Sequence, residues 1–393
     1  MGENKYAAAG VDFEKEHEVV GVFKALYLKT RHFVADLEEI GIRFPEDIGS
    51  FSDGVNFDLD EISQNGINGF ELYKAMDGAG TKPMVHQLYR NLGGRNPGAL
   101  GCTGFDAVAM VANDLVCSGA RPFMITNYVA WNKPDIEFAR DLATGLFIGA
   151  QHARAAVIGG ENASLSRMIR GMADRVKGDY VEGVGYDICA DANGIKFPSY
   201  PPWFNGSNIQ PGDEIIGLRS SGIHCNGISL AREVLINYPP AGWNGLFKPT
   251  ESLLEFGGKT VLEEILTPTK IYVPIILGLL ENPEIEIRGI ANITGEGVAN
   301  LNRVLKEREL GAFLDFRAVE PPHTIFQLIQ DAANIKMDEM YRDFNMGWGM
   351  YVVVPKGKSY LVLEESKRKG FCAEVLGEVT DEKGISIVPH NWC

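Results

Sequence analysis

The residues of this 393-residue sequence best suited to chemistry sit in short glycine-rich stretches, and the sharpest is DGAGTK, Asp77–Lys82. A carboxylate at a strand end can take Mg2+, and Gly78 and Gly80 let the backbone come close to a phosphate. Thr81 adds a hydroxyl and Lys82 a point charge for phosphate oxygens. The same hexapeptide also makes an ordinary tight turn, so it needs support from elsewhere in the chain. Residues 103–119 read as a helix, with Thr103 as its N-cap and Gly119 as its stop. On it, Asp106 and Asn113 are about 20° apart at the margin of the apolar face, which suits a partly desolvated metal–phosphate site. Asp114 falls on the other side of an ideal helix, so its participation requires the helix to end or bend there.

Three further stretches carry similar chemistry. GGEN (Gly159, Gly160, Glu161, Asn162) follows the buried strand AAVIGG, which either places a carboxylate at a strand end as α/β binding sites do or simply ends the strand on a glycine pair beside a surface Glu. SSGIHCNG ends a strand and opens a helix. Its backbone N–H groups, with Ser221, His224 and Asn226, could grip a phosphate or a polar substrate. ITGEG repeats this plan around Thr294 and Gly295, whereas FNMGWGM reads as a structural entry into a strand. GGKT at 257–260 imitates the end of a nucleotide-binding P-loop, but Leu253 stands where that loop needs glycine. No H-E-x-x-H or G-x-S-x-G pattern is present, which removes metalloprotease and serine-hydrolase readings.

The elements that must position these groups alternate between strand and helix. Helical spacing runs from Glu14 to Ala35, and 45–69 is a polar, loop-rich segment with short strands. Phe70–Met76 is a strand entering DGAGTK, 135–153 a second amphipathic helix, and YVEGVGYDICA an alternating strand. Prolines, glycines and polar residues collect at 195–212, where the pattern restarts. Beyond it come a strand at 214–218, helices at 228–236, 268–280 and 324–331, a strand–loop–helix unit at 287–305, and strands at 350–354 and 373–379. This is an α/β (α+β) pattern in two domains, 1–200 and 201–393, with helices covering sheets.

Composition agrees. Glycine is abundant, 45 in 393 or about 11% against roughly 7% in average usage, a surplus that serves either phosphate-cradling loops or simply a loop-rich α/β protein. A net charge of −15 argues against nonspecific binding to nucleic acid or to an anionic membrane. The six cysteines are scattered without a C-x-x-C pair and read as reduced thiols. The first residues lack a signal-peptide core, and the run IYVPIILGLL is half a membrane span, so the expected compartment is the cytoplasm.

Taken in order, YAAAGVD, DGAGTK, FDAVAMVANDLVCSGARP, GGEN, PGDEIIGLRSSGIHCNGISL, LTPTKIYV, ITGEGVANLNRVL and EMYRDFNMGWGM resemble the phosphoribosylformylglycinamidine cyclo-ligase (aminoimidazole ribonucleotide synthetase) family over nearly the whole chain. The resemblance implies an N-terminal, dimer-forming, β-barrel-like domain with flanking helices and a C-terminal α/β domain. It implies a homodimer with ATP and Mg2+ bound between the domains, and a small ribonucleotide as substrate. The reaction it implies is ATP-dependent closure of the imidazole ring of formylglycinamidine ribonucleotide, through phosphorylation of the formyl amide oxygen. Carried onto this sequence, it puts Asp77, Asp106, Asn113 and Asp114 on the Mg–ATP side, with Asp77, Asp106 and Asp114 as metal ligands. Gly78, Gly80, Thr81 and Lys82 hold phosphates, and Gly159, Gly160 and Glu161 serve the nucleotide. Ser221, His224, Asn226, Thr294 and Gly295 face the substrate, with Asp77, Lys82 and His224 as catalytic groups and His224 handling a proton.

The sequence also departs from the family pattern. The family's glycine-rich stretch before DGxGTK is replaced by the polar 45–69 segment, GGET becomes GGEN, and HSNG becomes HCNG. Before the ITGGG motif the family has His where this chain has Asn292, and Glu296 replaces a glycine. An amide takes up no proton near neutral pH, so an acid/base role at that position is lost. Two other readings therefore stand beside the cyclo-ligase: a relative of the same superfold using ATP on another substrate, and a nucleotide-binding paralogue without turnover.

Overall fold

Hydrophobic alternation and helical periodicity resolve into two main sheets, the helices that cover them and three small two-stranded ribbons. The computed structural model describes residues 13–176, 179–198 and 206–390. In the first half, helix α1 (Phe13–Thr30) precedes strand β1 (Glu71–Gly78), helices α2 (Lys82–Asn91) and α3 (Pro97–Cys117), strand β2 (Arg121–Trp131), helix α4 (Ile136–Ala153), and strands β3 (Ala156–Ser164) and β4 (Tyr186–Lys196). The four strands form a sheet in the order β1-β4-β2-β3. β4 pairs antiparallel with β1 and β2, and β2 and β3 run parallel across the α4 crossover.

The second sheet has six strands: β5 (Glu214–Arg219), β6 (Gly289–Asn292), β7 (Gly311–Asp315), β8 (Trp348–Val354), β9 (Ala373–Thr380) and β10 (Gly384–Val388), in the order β6-β8-β5-β9-β7-β10. Helices α5 (Ile228–Leu235), α6 (Val273–Glu281), α7 (Thr324–Ala333) and α8 (Ser359–Arg368) accompany it. One hydrophobic cluster runs through both halves: Ala109, Ala112 and Val116 of α3 belong to it together with Ile276 of α6 and Val352 of β8. The two sheets are therefore joined by a continuous dry core.

The α/β class with two sheet-centred halves agrees with the sequence, but among the described residues no barrel closes within one chain. The four-stranded sheet is open. Helices α1, α3 and α4 cover one face, and residues of the 34–70 segment pack over one end of the other. The rest of that second face carries Leu72, Met76 and Tyr128 at 55%, 69% and 38% exposure.

Several boundaries differ for identifiable reasons. α3 begins at Pro97, not Thr103, and Asn96 caps it by accepting a hydrogen bond from Gly98 N. Gly98, Gly101 and Gly104 make this first turn and a half look like loop, yet two of them let α3 and α4 touch. A Cβ on Gly104 would lie 2.1 Å from Leu142 O, and one on Gly145 would lie 1.9 Å from Gly101 O. At 21 residues α3 is long and apolar enough to cross a membrane, and 78% of its most apolar stretch is buried inside the protein. The helix expected from 268 starts at Val273, leaving 267–272 without regular secondary structure. Strand β2 escaped sequence reading altogether, and β10 follows the strand expected to be last. YAAAGVD and the middle of the 195–212 linker lie outside the described residues.

Candidate functional site

The residues singled out above divide into those that face a cleft and those that hold the two halves together. At the cleft, β1 delivers Asp77 to the end of the first sheet, where its Oδ1 accepts from Gly78 N at 2.7 Å. α3 runs on without interruption to Cys117, so Asp114 needs no bend: the cleft lies on its side of the helix. Asn292, the last residue of β6, donates from Nδ2 to Asp114 Oδ1 at 2.8 Å, reaching across from the second sheet. Burial pushes the Asp114 carboxyl above its usual range. The Asn292 amide opposes that rise, Asp77's charge adds to it, and Arg303 opposes it. Asp114, Asn292 and Arg303 line a cavity of about 490 Å3 formed from β1, the end of α3 and β6, and β1 reaches it through Met76, next to Asp77.

A second set of predicted ligands is spent inside the protein, which corrects their assignment. Lys82 and Asp106 are fully buried and pair with each other at 2.8 Å. Lys82 Nζ also donates to Thr267 O at 2.8 Å, and Asp106 Oδ1 accepts from Thr269 N at 2.6 Å. Burial alone would lower the Lys82 pKa, but the Asp106 carboxylate outweighs it and holds the ammonium above its ordinary value. Seven residues along the same face, Asn113 accepts from Tyr272 N and donates to Lys270 O, both at 2.9 Å. The alignment of Asp106 with Asn113 is real. Its purpose is to bind the irregular 267–272 segment of the second half, so neither Lys82, Asp106 nor Asn113 is open to a nucleotide.

His224 belongs to the same strut. Its Nε2 accepts from Ser221 N at 3.3 Å and Lys270 N at 3.4 Å. Burial, with the charges of Lys82, His323 and Lys270, pushes its pKa down to about 3. The ring is therefore a neutral acceptor at physiological pH, and the expected proton-handling role is withdrawn. Gly349 makes room for it, since a Cβ there would sit 2.6 Å from His224 Cε1 and 2.2 Å from the Tyr272 hydroxyl. Ser221 Oγ donates to Pro268 O at 2.5 Å, a further tie to the segment.

Around this strut the glycine-rich loops converge. Thr81 Oγ1 lies 3.1 Å from Ser229 Oγ, and a Cβ on Gly80 would meet Cys225 O at 3.2 Å. Gly295 faces Asn226, whose Oδ1 would be 3.3 Å from an added Cβ, and Thr294 Oγ1 is 3.3 Å from Asn300 Oδ1. GGEN is not a loop after a strand but the middle of β3. Gly159, Gly160 and Glu161 line a separate cavity of about 280 Å3 against α1 and residues 48–53. Strand register puts Gly78, Cys189, Tyr128 and Glu161 in one row across the sheet. Glu161 thus stands three strands from Gly78, about 14 Å away.

The three expected metal ligands do not assemble, because Asp106 is held by Lys82. Among the described residues no group of three His, Cys, Asp or Glu side chains is placed to share a cation. Asp77 and Asp114 remain, and the charge of Asp77 works against ionisation of Asp114. Mg2+ commonly takes one or two protein carboxylates and completes its shell with phosphate and water, so this pair fits the ion. Asn292 was visible in the sequence only as a departure. The 267–272 segment was visible only as a motif, although T-P-T breaks any helical period there.

Comparison with known proteins bears on the same architecture. Residues 68–177 match the model for the N-terminal domain of "AIR synthase related protein", and residues 210–389 match its C-terminal domain. A phosphoribosylformylglycinamidine cyclo-ligase of Carboxydothermus hydrogenoformans is 35% identical over 382 residues, covering 97% of each chain. One of Methanothermobacter thermautotrophicus is 37% identical over 305 residues, 78% of each. Among solved structures, thiamine-monophosphate kinase from Stenotrophomonas maltophilia superposes with a TM-score of 0.58 at 12% identity, covering 92% of this chain and 95% of its own. Hydrogenase maturation protein HypE in complex with ATP gives 0.54 at 15% identity, covering 89% and 86%. At these identities the two structures share the fold.

Proposed function

The chain belongs to the AIR synthase related family, and from that premise we propose that it closes the imidazole ring of formylglycinamidine ribonucleotide at the expense of ATP. It is an ATP-dependent cyclo-ligase, a C–N bond-forming enzyme of purine biosynthesis. The observation that carries this reading is the likeness to curated cyclo-ligases along 97% of both chains.

The chemistry asks for two things. An amide oxygen leaves only after phosphorylation, and the phosphoryl group must be guided to it without reaching water. In this reading Asp77 and Asp114 stand at the phosphoryl end, with Asn292 fixing the orientation of Asp114. Mg2+ bound there would offset the charge of the phosphate oxygens. The backbone of Gly78–Thr81 lies beside the phosphates, and Asn226, Thr294 and Gly295 border the substrate from the second half. Lys82, Asp106, Asn113 and His224 keep the 267–272 segment, and with it the second sheet, in register with α3. ATP extended along the row from Gly78 to Glu161 would run over the open sheet face. This is consistent with Gly159, Gly160 and Glu161 taking part in nucleotide binding.

We place the domain division at 200/201, between the two sheets. A second copy laid on the open face would cover Leu72, Met76 and Tyr128, completing a barrel from two sheets and making a homodimer. A cytosolic location accords with the free cysteines at 102, 117, 189, 225 and 372.

The test is direct. Purified protein given formylglycinamidine ribonucleotide and Mg–ATP releases phosphate and aminoimidazole ribonucleotide in equal amounts. Nucleotide hydrolysis without the aminoimidazole product would move the activity to another substrate, and binding without turnover would make the chain a regulatory paralogue.

A further inference from the structure

The cavity between β1 and β6 contains groups that the reading above leaves idle: Tyr73, Lys74, Ser118 and Arg303. Its volume of about 490 Å3 lies within the range of small-ligand sites, about 300–1,000 Å3. β1 and β6 are edge strands of their sheets, so each has one side of its backbone unpaired, and both contribute to the lining. The cavity is also electrically polarised. On the side of α3 lies Asp114. On the side that follows β6 lies Arg303, which forms no ion pair among the described residues and acts on Asp114 and Cys117 only through its field. Lys74 is already engaged, with Asp191 at 2.9 Å, so Arg303 is the available cation.

We propose that this cavity receives the ribonucleotide, with Arg303 binding its 5′-phosphate and the Asp114 end facing the formyl and amidine groups. The assignment rests on the ring-closure reading and names where its substrate sits. The substrate carries a phosphate dianion at one end and a basic amidine at the other. Mg2+ held at Asp77 and Asp114 would be engaged by the nucleotide's phosphates, which leaves Arg303 as the cation for the ribonucleotide's own phosphate and keeps the two phosphate groups apart. A guanidinium suits a phosphate because it offers paired N–H donors and stays charged at every working pH. The same orientation carries the oxygen to be phosphorylated toward Asp77 and Gly78, beyond which the row leading to Glu161 begins. Nucleotide and ribonucleotide then approach the phosphoryl-transfer point from opposite sides of β1.

Arg303 is exposed, so its replacement does not threaten the fold. Steady-state kinetics and titration calorimetry on wild type, Arg303→Gln and Arg303→Lys test the assignment, using formylglycinamidine ribonucleotide and its riboside, which lacks the phosphate. Arg303→Gln should raise KM and Kd for the ribonucleotide roughly 10- to 100-fold, the worth of a charge-assisted contact, and Arg303→Lys should recover part of the loss. KM for ATP should move by less than about twofold, and the riboside should bind wild type and Arg303→Gln alike. Unchanged ribonucleotide affinity in Arg303→Gln, or a rise in the KM for ATP instead, overturns the phosphate assignment while leaving ring closure in place. A wild-type protein that neither binds nor cyclises the ribonucleotide overturns ring closure itself, and this assignment with it.

Discussion

Replacing Lys82 with methionine separates a structural strut from a phosphate ligand. Methionine keeps the length and apolar stem of lysine but removes the ammonium, leaving Asp106 fully buried with only Thr269 N and the weak Cys225 thiol as donors. Stranding one member of a buried ion pair costs about 3–5 kcal/mol, and the lost bond to Thr267 O adds about 1 kcal/mol. A loss of about 4–6 kcal/mol is a large share of the 5–15 kcal/mol that native proteins possess. Urea unfolding should therefore show a clear drop in midpoint for Lys82→Met. Asp106→Asn on the same background keeps an oxygen for Thr269 N and removes the stranded charge, so the double variant should regain at least about half of the loss. A Lys82→Met protein as stable as wild type, with a KM for ATP raised tenfold or more, would refute the strut and restore Lys82 to the phosphates.

Two other consequences of the packing are measurable. His224 is held near pKa 3 in the folded chain against about 6.5 unfolded, so its neutral form supports folding fully above pH 6.5. That support is lost as pH falls from 6.5 toward 3, because the unfolded chain takes up the proton first, and by pH 5 the loss is about 2 kcal/mol. His224→Gln should show a correspondingly smaller fall in urea midpoint between pH 7 and pH 5, and equal falls in the two proteins would exclude the mechanism. Gly145→Ala drives a methyl into Gly101 O and Phe105 N of α3, both backbone atoms, and should cost about 1–3 kcal/mol or more by thermal or urea unfolding. A neutral outcome would mean that the α3–α4 contact is looser than the structure has it.

Much of the fold was legible because its signals are local. Asp135 caps α4 through Glu137 N and Phe138 N, and apolar residues recur along that helix at helical spacing. Strands β5, β8 and β9 appear at their places as short apolar or alternating runs. What escaped depends on contacts distant in sequence. The start of α3 is rich in glycine because α4 must touch it there, and glycine in isolation reads as loop. β2 begins with Arg121 and Pro122, poor strand formers that are accommodated by pairing with Asp36 and by a bulge against β4. The site was legible as a set of motifs but not as roles. Asp106, Asn113 and Asp114 are neighbours on one helix, and only the partner surface decides which of them grips the 267–272 segment and which looks into the cleft. Periodicity gives the angle between two side chains, never what stands opposite them.

The same distinction bears on the residue that most weakened the case for catalysis. Where the resembled family has His, Asn292 cannot carry a proton, and that alone favours a paralogue without turnover. In the folded chain, however, its work is to donate a hydrogen bond to Asp114 across the cleft, and an amide N–H does this at any pH. The substitution preserves the donor while giving up the charge. Asn292→Leu, which keeps the size and removes the donor, should lower kcat/KM about 10- to 100-fold and raise the half-saturating Mg2+ concentration, as loss of a group orienting a metal ligand does. Asn292→His should retain activity within a few-fold of wild type. If leucine is tolerated as well as histidine, the bond to Asp114 is incidental. The departure at 292 would then again count against an enzyme whose carboxylates must be held in place.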